Sequence, residues 1–368
     1  MAAGNILVLA GTGKGSFIFT SDASRKKWDF TGPHHVGGEV YHMAYDPRSR
    51  MVLAAVNHAV WGPHIQVSQD QGKTWTKDEA QPRFPEGGKE TVKRLWHIRP
   101  GRESEPGVWY VGAEPASLFK TSDYGKTWAE VTGLTSHPSR EKWQPGFGGL
   151  CLHSIILHPT DKNKMWVGIS AVGVFGTSDG GKTWKTMNKN VRTDFQPEKL
   201  PEFGQCVHKL LMHPSNPNTL FQQNHCGVYR SDSGGEEWKD ISEGLPSRFG
   251  FVLGIHSTHP KTIYVVPEDE ALGENVGGGN RFVTHGKFRV YRSKDAGESW
   301  LALTEGLPQK DAYLHLLREG MATDSFDPCG IYMGTKTGQI YYSRDNGDRW
   351  DLMKEYLPPV LSVSAAIM

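Results

Sequence analysis

A short motif, Ser/Thr-x-Asp-x-Gly-x-Thr-Trp, recurs along the chain and restricts its fold more than any other feature. The seven copies begin at Ser21, Ser68, Thr121, Thr177, Ser231, Ser293 and Ser343. The copies at Ser21 and Ser231 are degenerate, and Ser233 stands at the Asp position of the second of these. The closing tryptophans recur roughly every 50 residues, a period typical of one four-stranded propeller blade.

Each copy has the residue types of a tight hairpin turn. The Asp accepts hydrogen bonds from the amides of its own turn, and the Gly takes a positive φ. An alternating segment such as 227–231 precedes each copy, and a more apolar segment such as 165–169 precedes that one. Each repeat therefore predicts four antiparallel strands, with the motif in the turn before the outermost strand.

The two ends of the chain complete each other in this pattern. Residues 5–10 start directly at the second strand of a unit, and the strand-like run 359–367 follows the last unit. Pairing these ends would close the ring and remove its open edge. The sequence predicts an all-β, seven-bladed propeller of four-stranded antiparallel blades, as one domain over 1–368. Its top-face loops are long, and a glycine-rich insertion occupies 270–286.

The repeated motif resembles the BNR/Asp-box, sialidase-like propeller superfamily along essentially the whole chain. That superfamily includes sialidases, xyloglucanases, sortilin-type receptors and photosystem II assembly factors, so the resemblance implies the fold more sharply than the function. Sialidases have six blades and an Arg-Ile-Pro motif before the first box, which this sequence lacks. Xyloglucanases pair two propellers across a cleft, whereas this chain predicts one.

Charge and composition narrow the classes of partner. The 41 Lys and Arg balance 40 Asp and Glu, giving a net charge of +1, so bulk charge does not favour nucleic acid or an anionic membrane. No apolar run reaches the ~18 residues of a membrane-spanning helix. The first residues lack the basic region of a signal peptide, and the four cysteines are too few for a disulfide scaffold. We expect a cytoplasmic protein with free thiols.

Alternating strand direction sorts the loops between two faces of the ring. The innermost strands begin on one face, here called the top face, and the loops between the second and third strands lie there too. The box turns lie on the opposite face, where we expect their aspartates to be structural. The top-face candidates for acid/base catalysis are Glu114, Glu268, His208 and Arg94. Those for substrate binding are His58, Arg318, Lys336 and Tyr41.

Histidines from neighbouring units also suggest a metal site. His153, His208 and His225 would offer three nitrogen ligands to a divalent ion and leave a position for water or substrate. The alternative is that they are half-exposed polar residues bound to loop carbonyls. Cys151 and Cys206 each precede one of these histidines by two residues. They are either thiolate ligands or nucleophiles, or small buried apolar residues.

Two functions remain open on this evidence. The first is a hydrolase or metal-assisted lyase acting on a small polar, carbohydrate-like or carboxylate-bearing substrate, with Glu114 and Glu268 on either side of it. The alternative is a structural role, in which each carboxylate forms a salt bridge, for example with Arg94 or Lys336. The second function is a non-catalytic module that binds a protein partner or assists assembly. The clustered histidines and the long loops favour the enzyme.

Overall fold

The computed structural model describes residues 4–88, 90–269 and 281–368. They form β-strands, one short α-helix, Thr132–Thr135, and two 3₁₀ turns, Arg140–Lys142 and Thr284–Gly286. Within these ranges no helix has the length and apolar character to cross a bilayer. Of the predicted insertion at 270–286, residues 270–280 lie outside the described residues. Val283, within the rest of the insertion, forms a β-bridge with Glu268.

The largest sheet joins the two ends of the chain and has seven strands. Its spatial order is β27-β1-β2-β4-β5-β6, and β3 pairs separately with β2. These strands are β1 (Ile6–Thr12), β2 (Gly15–Ser21), β3 (Asp29–His34), β4 (Gly38–Asp46), β5 (Met51–His58), β6 (Gly62–Ser68) and β27 (Val360–Ile367).

Five four-stranded antiparallel sheets follow along the chain, each with its strands in sequence order. The first is β7 (Arg94–Pro100), β8 (Trp109–Glu114), β9 (Ser117–Thr121) and β10 (Ala129–Glu130). The second is β11 (Leu152–Leu157), β12 (Met165–Ile169), β13 (Gly173–Thr177) and β14 (Lys185–Thr186). The third is β15 (Val207–Met212), β16 (Leu220–Asn224), β17 (Gly227–Ser231) and β18 (Lys239–Asp240). The fourth is β19 (Gly250–Ile255), β20 (Ile263–Pro267), β21 (Val290–Ser293) and β22 (Leu301–Leu303). The fifth is β23 (Met321–Thr323), β24 (Ile331–Gly334), β25 (Ile340–Ser343) and β26 (Asp351–Lys354).

The prediction of seven separate four-stranded blades is wrong, because the structure has five four-stranded blades and one seven-stranded sheet. The strands assigned to the first two units share that sheet through a parallel pairing of Gly15 in β2 with Glu39 in β4. Gly15 has φ +91°, and a Cβ there would lie 2.5 Å from the carbonyl oxygen of His34. Only glycine permits this close approach, and the period of the repeat carries no information about it.

The ring is closed by the two ends of the chain. β27 pairs antiparallel with β1 from Ile6 opposite Ile367 to Thr12 opposite Val360. The innermost strands contact one another in circular order, which runs β27, β4, β7, β11, β15, β19, β23 and back to β27. The end-to-end pairing that the strand pattern predicted is therefore present.

Two of the box tryptophans link neighbouring sheets through their indole N–H groups. Trp238 donates its indole N–H to the carbonyl of Met187 at 2.8 Å, and Trp300 donates to Ile241 at 2.9 Å. Both acceptors directly follow the outermost strand of the preceding sheet along the chain. These two bonds join neighbouring sheets, whereas Trp75 and Trp184 donate to Gly72 and Gly181 of their own turns.

The aspartates of the boxes bind their own turns. Asp123 accepts hydrogen bonds from the Thr127 amide at 2.9 Å, from the Thr127 hydroxyl at 2.6 Å and from the Thr121 hydroxyl at 2.7 Å. The Thr127 hydroxyl makes the largest contribution to lowering the pKa of Asp123 below its ordinary value. In the degenerate copy, the Ser233 hydroxyl accepts a hydrogen bond from the Glu237 amide at 3.1 Å and lies 3.2 Å from the Ser231 hydroxyl. The boxes thus act as turn-forming elements.

Removing residues 358–368 deletes β27 and should lower the free energy of unfolding by at least about 3 kcal/mol. The reason is that the buried side chains of Val360, Leu361 and Val363 are removed from the core. Urea denaturation measures the change. Deleting Met368 alone is the control, since this residue lies just beyond β27 and the strand keeps its register. Equal stability of the two truncated chains would contradict the closure.

Candidate functional site

A cavity of about 1000 Å³ opens at the top face of the ring. It is lined by the starts of inner strands, by turns between second and third strands, and by segments of the long loops at 144–149 and 195–196. A smaller cavity of about 430 Å³ lies further along the axis and is lined by His42, His97, Lys209 and Glu319 among others. We call the larger one the top cavity.

Most of the predicted site residues line the top cavity. They are Tyr41, Arg94, Glu114, His208, His225, Arg318 and Lys336. Three other predicted residues, His58, His153 and Glu268, are not among its lining residues. Seven of the ten predicted site residues therefore share one cavity.

The sequence predicted that Glu268 lies opposite Glu114 across the pocket, and this prediction is wrong. Its carboxylate is fully buried and accepts hydrogen bonds from Nδ1 of His315 at 2.7 Å and from the Leu316 amide at 2.9 Å. Burial raises the pKa of Glu268 above its ordinary value, although both bonds oppose the shift. This carboxylate holds the chain segment on which Arg318 lies.

His153 and His58 have local structural partners. The His153 ring is fully buried, and its Nε2 lies 2.9 Å from the carbonyl oxygen of Val207. Nδ1 of His58 accepts the amides of Val60 and Trp61 at 3.1 and 3.2 Å, which shapes the turn after β5. Strand alternation places these residues near the top face but does not reveal that their ring nitrogens are already engaged.

Cys206, His208 and His225 come together where the sequence predicted three histidines. Each offers a ligand atom, and these atoms all lie within 4.8 Å of one another. Cys206 immediately precedes β15, His208 lies in β15, and His225 lies in the turn between β16 and β17. The His225 amide donates to the Cys206 carbonyl at 3.0 Å, which holds that turn against the start of β15.

Burial and the neighbouring side chains shift the pKa values of His208 and Cys206 in this group. Nδ1 of His208 donates to the Gly250 carbonyl at 2.6 Å, which leaves Nε2 facing Cys206 Sγ at 3.5 Å. Burial lowers the pKa of His208. Burial opposes ionisation of Cys206, but His208 and His225 bring its pKa well below the ordinary value. In contrast, burial raises the pKa of Cys151 to about 12.

Four cations line the top cavity, namely Arg94, Arg281, Arg318 and Lys336. Among the described lining residues Glu114 is the one carboxylate, and its Oε2 lies 3.7 Å from Nη1 of Arg94. The salt bridge that the sequence left open for Glu114 is therefore formed inside the cavity. The excess of positive charge favours an anionic ligand.

Arg318 lies deepest among these cations, with 7% of the residue exposed. Its guanidinium lies over the rings of Trp96 and Phe251, at 5.5 and 6.0 Å from their centroids. Nε of Arg318 is buried without a hydrogen-bond partner, and no ion pair joins the guanidinium to another of the residues that the structure describes. A buried guanidinium without a carboxylate is costly, so its place at a cavity wall is a functional signal.

Trp96 and Phe251 contact predicted site residues but escaped the sequence-based prediction, although strand alternation offered a signal for Trp96. It lies two residues from Arg94 and so shares its face of the strand. Cys206, which the sequence left open as a thiolate ligand or nucleophile, or as a buried apolar residue, also lines the cavity. Phe251 stacks on His208 with ring centroids 4.3 Å apart. Nothing in the repeat indicated that contact, because Phe251 lies in the next sheet.

Comparison with known proteins supports this fold. The BNR/Asp-box repeat profile matches residues 66–77, and the profile of "Sortilin, neurotensin receptor 3" matches residues 116–285. Among solved structures, an ancestral GH74 enzyme superposes with a TM-score of 0.59 at 16% identity, covering 87% of this chain and 39% of that one. "YCF48 bound to D1 peptide" superposes with a TM-score of 0.53 at 13% identity, covering 86% and 82%. The chain is a BNR-type β-propeller.

The curated relatives are xyloglucanases. A probable oligoxyloglucan-reducing end-specific xyloglucanase of Neosartorya fischeri is 28% identical over 170 residues, which is 44% of this chain and 20% of the relative. A xyloglucanase of a Paenibacillus species is 23% identical over 321 residues, which is 78% of this chain and 30% of the relative. The chain thus spans less than a third of the length of these two relatives.

The buried histidines predict that the fold is sensitive to acid. Burial lowers the pKa of four of them, His42, His97, His153 and His208, below the ordinary 6.5. As pH falls through 6.5 the unfolded chain binds a proton on each of these rings and the folded chain does not. The free energy of unfolding should therefore decrease between pH 6.5 and pH 5, by up to about 1.4 kcal/mol per pH unit for each histidine.

Urea denaturation at several pH values in the presence of a chelator measures this dependence. The buried Glu319 carboxylate titrates below its ordinary 4.5 and therefore adds little to the change, whereas protonation of Glu268, whose pKa is raised, opposes the effect of the histidines. His153→Gln keeps an amide donor toward the Val207 carbonyl and should reduce the slope. A free energy of unfolding that does not change from pH 7 to pH 5 would contradict the assignment of neutral buried rings.

Proposed function

We propose that this protein is a carbohydrate-active hydrolase whose top cavity binds a sugar that carries a carboxylate. The observation that carries the proposal is the buried guanidinium of Arg318, which faces a cavity of sugar size without a carboxylate partner from the described chain. A ligand carboxylate supplies the missing anion. Guanidinium binds carboxylate through two parallel hydrogen bonds, which also fixes the orientation of the ligand.

The remaining cations extend this preference across the cavity. Lys336 and Arg281 line the same space as Arg318, and Arg281 lies over the Phe251 ring at 5.5 Å. A cleft that is lined by positive charges and has walls of low dielectric constant concentrates anionic ligands at its mouth. A neutral sugar would leave the Arg318 charge uncompensated, so we expect the acidic sugar to bind more tightly.

Aromatic rings beside Arg318 suit the apolar faces of a sugar ring. Tyr41 and Trp96 lie with ring centroids 4.2 Å apart at the cavity wall. Ligand pockets commonly combine such apolar surfaces with a few fixed polar groups. We assign Tyr41 and Trp96 to sugar binding, with Arg318 and Lys336 as the groups that select the charge.

Glu114 is the residue we assign to proton transfer. Its Oε2 accepts the indole N–H of Trp96 at 3.3 Å and lies near Arg94, so the carboxyl group is held in place from two sides. A cis peptide joins it to Pro115, and a Cβ at Gly149 would clash with its oxygen, so the loop at 144–149 packs directly on it. In hydrolysis Glu114 would donate a proton to the leaving oxygen as the glycosidic bond breaks, and the resulting carboxylate would accept the proton that water loses when it attacks the anomeric carbon.

The relatives support the same chemistry in part. The curated relatives are xyloglucanases, and the ancestral GH74 enzyme shares the fold. The chain spans only part of these proteins, so the substrate is argued from the cavity alone. The charge of that cavity is what extends the proposal from a carbohydrate to an acidic carbohydrate.

A non-catalytic binding module is the second candidate, and it has one observation in its favour. Phe147 is 82% exposed and Phe195 is 48% exposed, and both lie at the cavity. Exposed aromatic residues at a pocket rim also suit a peptide with a terminal carboxylate. Turnover separates the two functions, because a binding module retains the bound ligand unchanged.

Oligosaccharides that contain glucuronic or galacturonic acid should bind more tightly than their neutral glucose or galactose counterparts. Arg318→Met should weaken binding of the acidic sugar about tenfold to a hundredfold, since a charge-assisted hydrogen bond contributes about 1.5–3 kcal/mol. Calorimetry measures binding, and chromatography of the products measures hydrolysis. Glu114→Gln should retain binding and lose hydrolysis.

Arg102→Met is the matched control for the arginine variant. Arg102 is also buried, but it pairs with Glu105 in the loop after β7, away from the top cavity. This variant should leave sugar binding unchanged. Equal affinity for acidic and neutral sugars, or an acidic sugar that binds Arg318→Met as well as the unaltered protein, would overturn the proposal. Binding without hydrolysis by the unaltered protein would leave the binding module standing.

A further inference from the structure

We propose that Cys206, His208 and His225 form a binding site for a divalent transition metal of the Zn2+ class at the wall of the top cavity. The ligands would be Sγ of Cys206, Nε2 of His208 and a ring nitrogen of His225. Such a set combines one thiolate with two imidazoles, which suits Zn2+ and its neighbours among the transition metals. This inference does not depend on the acidic sugar or on hydrolysis.

The distance between two of the ligand atoms fits a tetrahedral ion. Zn–S and Zn–N bonds of about 2.3 and 2.0 Å at the tetrahedral angle place sulfur and nitrogen roughly 3.5 Å apart. Sγ of Cys206 and Nε2 of His208 lie 3.5 Å apart. The third ligand atom, on His225, lies within 4.8 Å of both. A small movement of side chains is enough to bring the three atoms to bonding distance.

The His208 ring is oriented as in metal centres. Its Nδ1 donates to the Gly250 carbonyl at 2.6 Å, and this bond fixes the tautomer in which Nε2 carries the lone pair. A metal-bound imidazole almost always donates its other N–H in this way. Phe251 stacks on the ring at 4.3 Å, so the imidazole is held by both a hydrogen bond and an aromatic face.

Aromatic residues also surround His225. The centroids of Phe195 and Phe249 lie 4.9 and 5.0 Å from that of the imidazole. All three ligand residues line the top cavity, so an ion held by them would keep a coordination position open to water or to a substrate oxygen. Three protein ligands with an open position are typical of catalytic zinc rather than structural zinc.

A second pair with the same spacing serves as an internal comparison. Cys151 and His153 stand in the neighbouring sheet as Cys206 and His208 do in theirs. Both are fully buried, neither lines the top cavity, and Nε2 of His153 is bound to the Val207 carbonyl. The spacing alone therefore does not create a site, whereas the geometry around Cys206 does.

A second cluster of ligand-type residues among the described residues, His42, His97 and Glu319, is already neutralised. His42 and His97 lie 3.6 and 3.4 Å from the carboxylate of Glu319. The ammonium group of Lys209 forms an ion pair with Oε2 of the same carboxylate. An ammonium in contact with the carboxylate repels a cation there, so we assign no metal to this cluster.

Titration of the chelator-treated full chain with Co2+ tests the proposal. We expect one Co2+ per chain, with a thiolate-to-cobalt charge-transfer band in the near ultraviolet and the visible bands of tetrahedral cobalt. Excess Zn2+ should remove both. Bound Zn2+ should also protect Cys206 from alkylation by iodoacetamide, as mapped by peptide mass spectrometry.

Cys206→Ser should lose the charge-transfer band and bind Co2+ at least about tenfold more weakly, and His225→Ala should also weaken binding. Cys151→Ser is the matched control and should keep the full spectrum. Far-ultraviolet circular dichroism confirms that each variant is folded. The absence of a charge-transfer band in the unaltered chain, or its persistence in folded Cys206→Ser, would overturn the proposal.

The metal and the acidic sugar can fail separately. Arg318→Met should weaken sugar binding and retain the cobalt spectrum, because Arg318 is not one of the ligands. Cobalt binding without any sugar binding would support the metal site and contradict the proposed function. Sugar binding without a cobalt spectrum would do the reverse.

Discussion

The pairing of β27 with β1 is the constraint on which the rest of the structure depends. It joins the two ends of the chain, and it also holds the segment that carries the buried charges of the axis. Glu319 forms a parallel bridge with Ser362, and the Val363 amide donates to the Glu319 carbonyl at 2.8 Å. β27 therefore both closes the ring and holds Glu319, the residue that follows Arg318, in place. The shape of the cavity follows from this closure.

Two neighbouring residues of opposite charge divide the axis into two environments. The Glu319 carboxylate pairs with Lys209 and lies beside two imidazoles, so it is neutralised within the protein. The Arg318 guanidinium faces the top cavity over aromatic rings and forms no ion pair with another described residue. Burying a charge without a partner costs free energy, so the position of Arg318 favours a role in ligand binding. Glu319 has its partners within the protein, and we assign it a structural role.

The fold could be predicted from the sequence because its signals are local and repeated. The boxes specify their own turns, and the strand-like segment 359–367 specifies the partner of the first strand. The number of separate blades could not be predicted, because it depends on one backbone contact between Gly15 and Glu39. The sequence around a glycine in a turn does not indicate whether another strand pairs with it.

The site was partly predictable for a related reason. Counting along strands places Arg94 and His208 at the top face, and it would place Trp96 and Cys206 there as well. Counting does not say which polar atoms are already bonded, so Glu268 and His153 were assigned to a pocket that they do not line. Their partners, His315 and the Val207 carbonyl, lie on other segments of the chain, and only the folded structure identifies them.

A crystal structure of the Glu114→Gln protein with a galacturonic-acid oligosaccharide tests the central claim most directly. The account predicts a sugar in the top cavity whose carboxylate makes two hydrogen bonds to the Arg318 guanidinium, with a ring face against Trp96 or Tyr41. A sugar bound outside this cavity, or one in the cavity whose carboxylate points away from Arg318, would contradict it.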